Sequence, residues 1–483
     1  MQAFSYQRSA ISFELQGDTD KRIKGKEMNW FMFLPFLRLS CFPVSLFRLA
    51  YTLSQAYDNT VFGRDGRMTR TTGGKETKVW LILTSDQSDC RVWGLTGIER
   101  LQRTLTAADV PQEHISVGSL AAINQAADEA LVIFRTDYVF DERLVRALLE
   151  SPGAVLVSPS DATSSERVVA VHTSQATLTA ALQLLSGEGH LNRNTPRAGL
   201  YAVTPLDLAP AYTSTLRKTD APYFLPLTPA TVSEVEERLF AASYKGITDL
   251  VTKWVWPRPA RVVTKWCVSA GIRPNLITLL SWGLVVLAAV LFLRGWFGLG
   301  LLAAWVMTFL DTVDGKLARV TLTSSKIGHV LDHGLDLIHP PFWYLAWAYG
   351  LPPETPWLWL ATVVTVGGYV IGRLLEGLFL LIFKMEIHCW QPLDSFFRMI
   401  TARRNPNLIL LSLATLIGRP DVGLMLVALW TAVCIGFHTV RLLQALLQQW
   451  RGFSISEWQG VQAEKGNRRK PNPRVSDRSE SLA

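Results

Sequence analysis

The chain has 483 residues, 49% of them hydrophobic, with 17 tryptophans and a formal net charge of +8. Its length suggests two or three domains. The apolar residues are unevenly spread: residues 76–250 read as a soluble domain and residues 275–447 as a membrane domain. The positive balance is of the kind that suits nucleic acid, but Lys and Arg lie mainly between apolar runs and in the tail, which fits the cytoplasmic flank of a membrane protein better. Five cysteines (41, 90, 267, 389, 434) show no Cys-x-x-Cys spacing, so neither a zinc site nor a disulfide framework is supported.

Within residues 1–67, Trp30–Leu49 is apolar but carries Arg38, Arg48, Pro35 and Pro43, which makes it a poor spanning helix. Lys21, Arg22, Lys24 and Lys26 precede it as in a signal peptide, but no small-residue cleavage site follows and export would put the next domain on the wrong side. The stretch reads as disordered, interfacial, or upstream of a true start at Met68. Residues 76–242 then alternate strand runs (79–83, 130–134, 154–157, 168–171) with helical ones (97–108 and a helix capped by Asp141), which predicts a mostly parallel wound sheet. Residues 243–272 form a basic-aromatic connector with Lys245, Lys253, Trp254, Trp256, Arg258, Arg261, Lys265 and Trp266, read as a helix in the membrane interface rather than a solvated linker.

Six apolar segments follow within residues 273–447: Leu276–Leu293, Trp296–Leu310, Leu335–Leu351, Trp357–Phe383, Leu408–Ile417 and Val422–Leu447. Alternate connections are nearly uncharged, while the others carry Lys316, Arg319, Lys326, Lys384, Arg398, Arg403 and Arg404, and residues 451–483 make a disordered basic tail. The positive-inside pattern places both termini in the cytoplasm. The expected architecture is an α-helical integral membrane bundle of about six transmembrane helices, in a bacterial-type inner membrane, with an N-terminal cytoplasmic α/β domain.

The most informative run is Asp311-x-x-Asp314-Gly315-x-x-Ala318-Arg319, eight residues, then Gly328-x-x-x-Asp332-x-x-x-Asp336. Carboxylates at membrane depth are costly and mark function by default. Asp311, Asp314, Gly315 and Ala318 share one helical face; Gly328, Asp332 and Asp336 share another. Two helices joined by the polar turn at Thr321–Lys326 would point these faces at each other, with the small residues leaving room for a ligand. Hard oxygen ligands at this density suit Mg²⁺ or Mn²⁺, two ions in all, bridging substrate phosphates. Arg319 would neutralise phosphate charge and Asp336 would take a proton from an attacking hydroxyl. An ion pathway explains neither the Gly and Ala positions nor the gathering of carboxylates at one end.

The run resembles the signature of the CDP-alcohol phosphatidyltransferase family, with every fixed position present, and the resemblance covers roughly residues 245–447. Pro274-Asn275-Leu276-Ile277-Thr278 is similar to that family's Pro-Asn-x-x-Thr element. The resemblance implies transfer of a substituted phosphate from a CDP-linked donor to an alcohol or polyol-phosphate acceptor, with release of CMP, in phospholipid or polyol-phosphate biosynthesis. By that resemblance Asp311, Asp314, Asp332 and Asp336 hold metal, Asp336 also serving as base. Gly315, Ala318, Arg319, Gly328, Asn275 and Thr278 contact the nucleotide, and a homodimer is implied. Arg373, Arg398 and Arg403 are candidates for an acceptor phosphate; Arg373 and Glu376 also form a spacing suited to a structural ion pair, and His329, His333 and His339 flank the motif without occupying it.

Residues 76–242 resemble a sugar-nucleotidyltransferase, with Gly97–Leu101 as the helix after a nucleotide loop and Asp137 at the position of a metal-binding aspartate. The segment after Leu83 lacks the Gly-rich loop that cradles a triphosphate, which points to a degenerate, inactive relative. Two alternatives stay open at this level: a bifunctional enzyme that also makes its CDP-alcohol from CTP, and a non-catalytic membrane scaffold or transporter.

Overall fold

Val79, Leu81 and Ile82 are buried along Lys78–Ile82 (β1), the first strand of a six-stranded sheet. The computed structural model describes residues 77–83, 90–123, 130–158, 167–187, 199–324 and 326–468, without the side chains of 326–333, 335, 336 and 465–468. The expectations for residues 1–67, for the tail beyond 468 and for the loop after Leu83 lie outside the described residues, as do the side chains of Gly328, His329, Asp332, His333 and Asp336.

The remaining strands of the sheet are Ile115–Gly118 (β2), Leu131–Arg135 (β3), Ala154–Val157 (β4), Val168–Thr173 (β5) and Tyr201–Val203 (β6), in the order β2-β1-β3-β5-β4-β6. The four strand runs read from sequence are present. The sheet is mostly parallel, as expected, with one reversed strand: β1 is parallel to β2 and β3, and β4 to β6, while β5 runs antiparallel to both β3 and β4. Only residues 158–167 separate β4 from β5, too few for the crossover of a dozen or more residues that a parallel return needs.

Helix Gly97–Ala107 (α1) opens with a capping box in which Thr96 and Glu99 exchange side-chain and backbone hydrogen bonds. Asp141 caps Glu142–Leu149 (α2) as expected, accepting from the Arg143 amide. Both helices pack on β1 and β3 through Leu101, Leu105, Leu144 and Leu148, while Leu178–Ser186 (α3) covers the other face. Val232–Ala242 (α4) follows, then a π-helical turn at Val251–Val255 and helix Pro257–Ser269 (α5). Trp254 and Trp266 are exposed.

The helical part runs Pro274–Leu293 (α6), Phe297–Val320 (α7), Lys326–Gly350 (α8), Leu358–Phe383 (α9), Pro392–Arg398 (α10), Arg404–Leu416 (α11), Pro420–Trp450 (α12) and Trp458–Arg468 (α13). Among the described residues, α6, α7, α9 and α12 are long and apolar enough to cross a membrane. The 13 residues of α11 give it about 20 Å at 1.5 Å per residue, short of a bilayer core.

Phe292 of α6 anchors the core of the bundle, its ring 5.0 Å from that of Trp347 and 6.0 Å from that of Trp343. A Cβ on Gly350 would meet the Phe292 carbonyl oxygen at 2.0 Å, so the close approach of α8 to α6 requires glycine there. Pro340 and Pro341 lie inside α8. Proline at 341 cannot donate to the Leu337 carbonyl, which accepts instead from the Tyr369 hydroxyl of α9 at 3.1 Å.

Candidate active site

Both described motif carboxylates sit in the last turns of α7. The spacing of Asp311 and Asp314 leaves them one helical turn apart, at the end of a segment whose earlier residues are almost wholly apolar. Asp314 is buried, and its Oδ2 accepts a hydrogen bond from the Thr278 hydroxyl at 2.7 Å. Thr278 thus ties the start of α6 to the motif, whereas Asn275, one turn earlier, is exposed. Asp311 accepts from Arg404 Nη2 at 2.5 Å, with both side chains largely buried. The guanidinium of Arg319 folds back over Gly315: a Cβ at that position would lie 3.1 Å from Arg319 Nη2. Glycine at 315 therefore keeps the surface of α7 low beneath the arginine.

A second cluster lies beside the first, built from α9, α10, the Ile387–Cys389 turn and the start of α11. Glu376 accepts from Arg373 Nη2 at 2.6 Å and from Arg403 Nη2 at 2.5 Å, while His388 Nε2 stands 3.3 Å from it. The i, i+3 ion pair read from sequence is formed, and Arg403 adds to it from 27 positions further along the chain. Arg398 is buried, and its Nε and Nη1 find no hydrogen-bond partner among the described residues; the same holds for the Nε atoms of Arg373 and Arg403. Burial, with the like charge of Arg403, pushes the Arg398 guanidinium down to about 9. Burial also holds the His388 imidazole well below its ordinary value, against the pull of Glu376.

Arg403 and Arg404 are consecutive, and they reach the two clusters separately: Arg403 to Glu376, Arg404 to Asp311. The next residue, Asn405, donates to Asp249 Oδ1 at 3.0 Å. Burial raises the affinity of Asp249 for a proton, but Arg398 and the hydrogen bonds from Asn405 and Thr252 outweigh it and hold the carboxyl below its usual range. The start of α11 is therefore a hub, of which the sequence singles out only Arg403, as a candidate for an acceptor phosphate. The one signal was the charged run Arg403-Arg404-Asn405 ahead of an apolar segment, readable equally as a marker of membrane side.

The metal chemistry of the two clusters differs. Asp311 and Asp314 offer hard oxygen donors in one buried patch, which fits a divalent ion of the Mg²⁺ or Mn²⁺ kind. Glu376, His388 and His438 also bring three ligand atoms within 4.8 Å of one another. There, however, Arg373 and Arg403 occupy both oxygens of the glutamate, and three guanidinium groups oppose a cation. An anion suits that cluster better. His339 is buried, its ring 4.6 Å from that of Trp343.

In the α/β part, both Asp137 oxygens take hydrogen bonds from Arg135, at 2.9 and 2.6 Å. The aspartate matched to a metal-binding position is held by a neighbouring guanidinium.

Residues 272–436 match the family model for CDP-alcohol phosphatidyltransferase. The chain is 26% identical over 128 residues to cholinephosphotransferase 1 of Danio rerio, covering 24% of this chain and 32% of that protein. It is 32% identical over 146 residues to choline/ethanolaminephosphotransferase 1 of Arabidopsis thaliana, covering 26% and 36%. Over 80 residues it is 38% identical to archaetidylinositol phosphate synthase of Pyrococcus horikoshii, covering 16% and 42%. The chain thus spans less than half the length of each of these relatives.

Proposed function

From a chain whose residues 272–436 form a CDP-alcohol phosphatidyltransferase domain, we propose a membrane enzyme that moves a substituted phosphate from a CDP-linked donor to the hydroxyl of an alcohol that itself carries a phosphate, releasing CMP. The observation that carries the acceptor half is the convergence of Arg373 and Arg403 on the single carboxylate of Glu376, beside the buried Arg398, with guanidinium N–H groups of all three left over for an anion. A phosphomonoester supplies the charge and the acceptor oxygens that those groups lack.

Asp311, Asp314, Asp332 and Asp336 would hold two divalent ions, Mg²⁺ or Mn²⁺, which when bound neutralise the charge of the diphosphate. Arg319, over Gly315, lies against the pyrophosphate, and Ala318, Gly328, Thr278 and Asn275 border the nucleotide. Asp336 takes the proton of the acceptor hydroxyl. That oxygen forms a bond to the donor's outer phosphorus while the bond from this phosphorus to the CMP oxygen breaks, and the electron pair leaves on CMP. Arg403 and Arg404 join the two halves: one steadies the carboxylate beneath the acceptor, the other the carboxylate of the donor site.

The bound state of Asp137 supports an α/β domain that does not make its own CDP-alcohol. Two copies of the domain in the bilayer, with both termini on the cytoplasmic side, complete the reading. The test is a matrix of labelled CDP-alcohol donors against acceptors with and without a phosphate, scored by CMP release from membranes. CMP release with phosphate-bearing acceptors alone supports the reading; release only with unphosphorylated lipid alcohols refutes its acceptor half, and no release under any pairing refutes the whole.

A further inference from the structure

The α/β part and the aspartate helix share a buried apolar interface, in which Val313, Leu317 and Val320 of α7 cluster with Val92, Trp93 and Val139, and polar contacts close its end. Arg100 and Arg103, a turn apart on α1, both reach the C-terminal end of α7: Arg100 Nη2 donates to the Val320 carbonyl, and Arg103 Nη1 to the Thr321 carbonyl at 2.7 Å. Arg100 is buried in doing so, and its Nε has no partner among the described residues, so its burial serves that contact. Carbonyls at a helix C-terminus have no acceptor role left within the helix and carry its negative dipole end, which favours cations there.

A third tie comes from the motif itself. Lys316, at a position the motif leaves open, points away from the carboxylates. It is buried, donates to the Ser243 carbonyl at 3.1 Å and lies 3.5 Å from the centre of the Tyr244 ring, both just after α4. The turn these contacts hold is under strain: Leu322 has a φ of +52°, a left-handed conformation disfavoured for a non-glycine residue. Such a conformation persists where the surroundings over-determine it. This turn separates Arg319 from Gly328, that is, one half of the carboxylate motif from the other.

We infer that Arg100 and Arg103 are positioning residues for the aspartate helix, so that the α/β domain is a scaffold on which the metal affinity of the membrane site depends. The inference rests on the metal reading given above for Asp311–Asp336. It assigns the domain a task that needs no nucleotide chemistry of its own.

The test uses the full chain, purified with its membrane part intact, as the parent and as Arg103→Ala, Arg103→Lys and the double variant Arg100→Ala/Arg103→Ala. Two readouts are taken: Mn²⁺ binding by electron paramagnetic resonance in the presence of CMP, and hydrogen exchange of the 311–324 peptide without metal. A misplacement of the helix end by a fraction of an ångström should weaken Mn²⁺ binding by about tenfold in the double variant, with a smaller loss in Arg103→Ala and near-parent binding in Arg103→Lys. The 311–324 amides should exchange faster in the alanine variants, while peptides of α3 and α12 keep their parent rates. Parent-like Mn²⁺ affinity together with parent-like exchange in the alanine variants overturns the inference. A parent that binds no Mn²⁺ refutes the metal reading instead, and the exchange of 311–324 still decides the clamp. If the double variant fails to fold, the contrast between Arg103→Ala and Arg103→Lys decides it.

Discussion

Replacing Asp336 by Asn preserves size and removes the capacity to take a proton, so the variant should insert and fold as the parent does but release CMP at a rate lower by two to four orders of magnitude, roughly the value of a general base. Parent-like turnover would remove Asp336 from that role. Glu376→Gln probes the second cluster. It leaves Arg373 and Arg403 buried without their carboxylate, which should cost about 3–5 kcal/mol of stability. Inorganic phosphate should restore part of that loss, visible as a phosphate-dependent rise in melting temperature larger than in the parent; an equal response in both proteins would count against an anion site. At this scale the sequence was legible where partners are local. Asp311, Asp314 and Gly315 declare a shared face through their spacing alone, and the Arg373–Glu376 pair could be read from i, i+3. The bond from Arg404 to Asp311 spans 93 positions, and no periodicity carries such a pairing.

At the scale of elements, the close approach of α8 to α6 makes a prediction about packing. Gly350→Ala places a methyl group against the Phe292 backbone, where no rotamer change can relieve it, and should destabilise the protein by about 1–3 kcal/mol, read from thermal unfolding in detergent. An unchanged midpoint would mean that the two helices separate at little cost. Helix starts were readable because caps are short-range: Asp141 before α2 and Pro274 at the first turn of α6 stand beside the elements they begin. The direction of β5 was not, because strand polarity depends on the length of the return path rather than on the strand's own residues. The accommodation of Pro341 inside α8 was equally opaque; the carbonyl it frees is met by Tyr369 on a different helix.

Across the whole molecule, the carboxylate ends of α7 and the arginines after α9 lie at one end of the bundle, and the short connections around Glu354 and Asp421 follow α8 and α11. If α11 crosses despite its length, single cysteines at 354 and 421 should react with a membrane-impermeant thiol reagent from the same side, and a cysteine at Lys384 from the opposite one. Labelling of 421 and 384 from one side would show α11 to be re-entrant. Removal of divalent ions by EDTA should abolish CMP release, with Mg²⁺ or Mn²⁺ restoring it; activity that survives chelation would refute the metal reading. The division into a soluble and a membrane part was legible from composition alone. Their attachment was not, since Arg100 and Arg103 look like ordinary surface charges on an amphipathic helix until the carbonyls of residues 320 and 321 are placed beside them.

The adjacency of Arg403 and Arg404 sets a ruler. Consecutive Cα atoms are about 3.8 Å apart, so a single peptide unit fixes the offset between the anchor of the anion cluster and the anchor of Asp311. On the proposed reading, an acceptor is then measured as well as recognised: the span from its phosphate to its attacking hydroxyl must match that offset. One residue inserted between the two arginines would shift the preferred acceptor to a longer one rather than simply weaken binding, and a series of polyol phosphates of graded length would read the change directly.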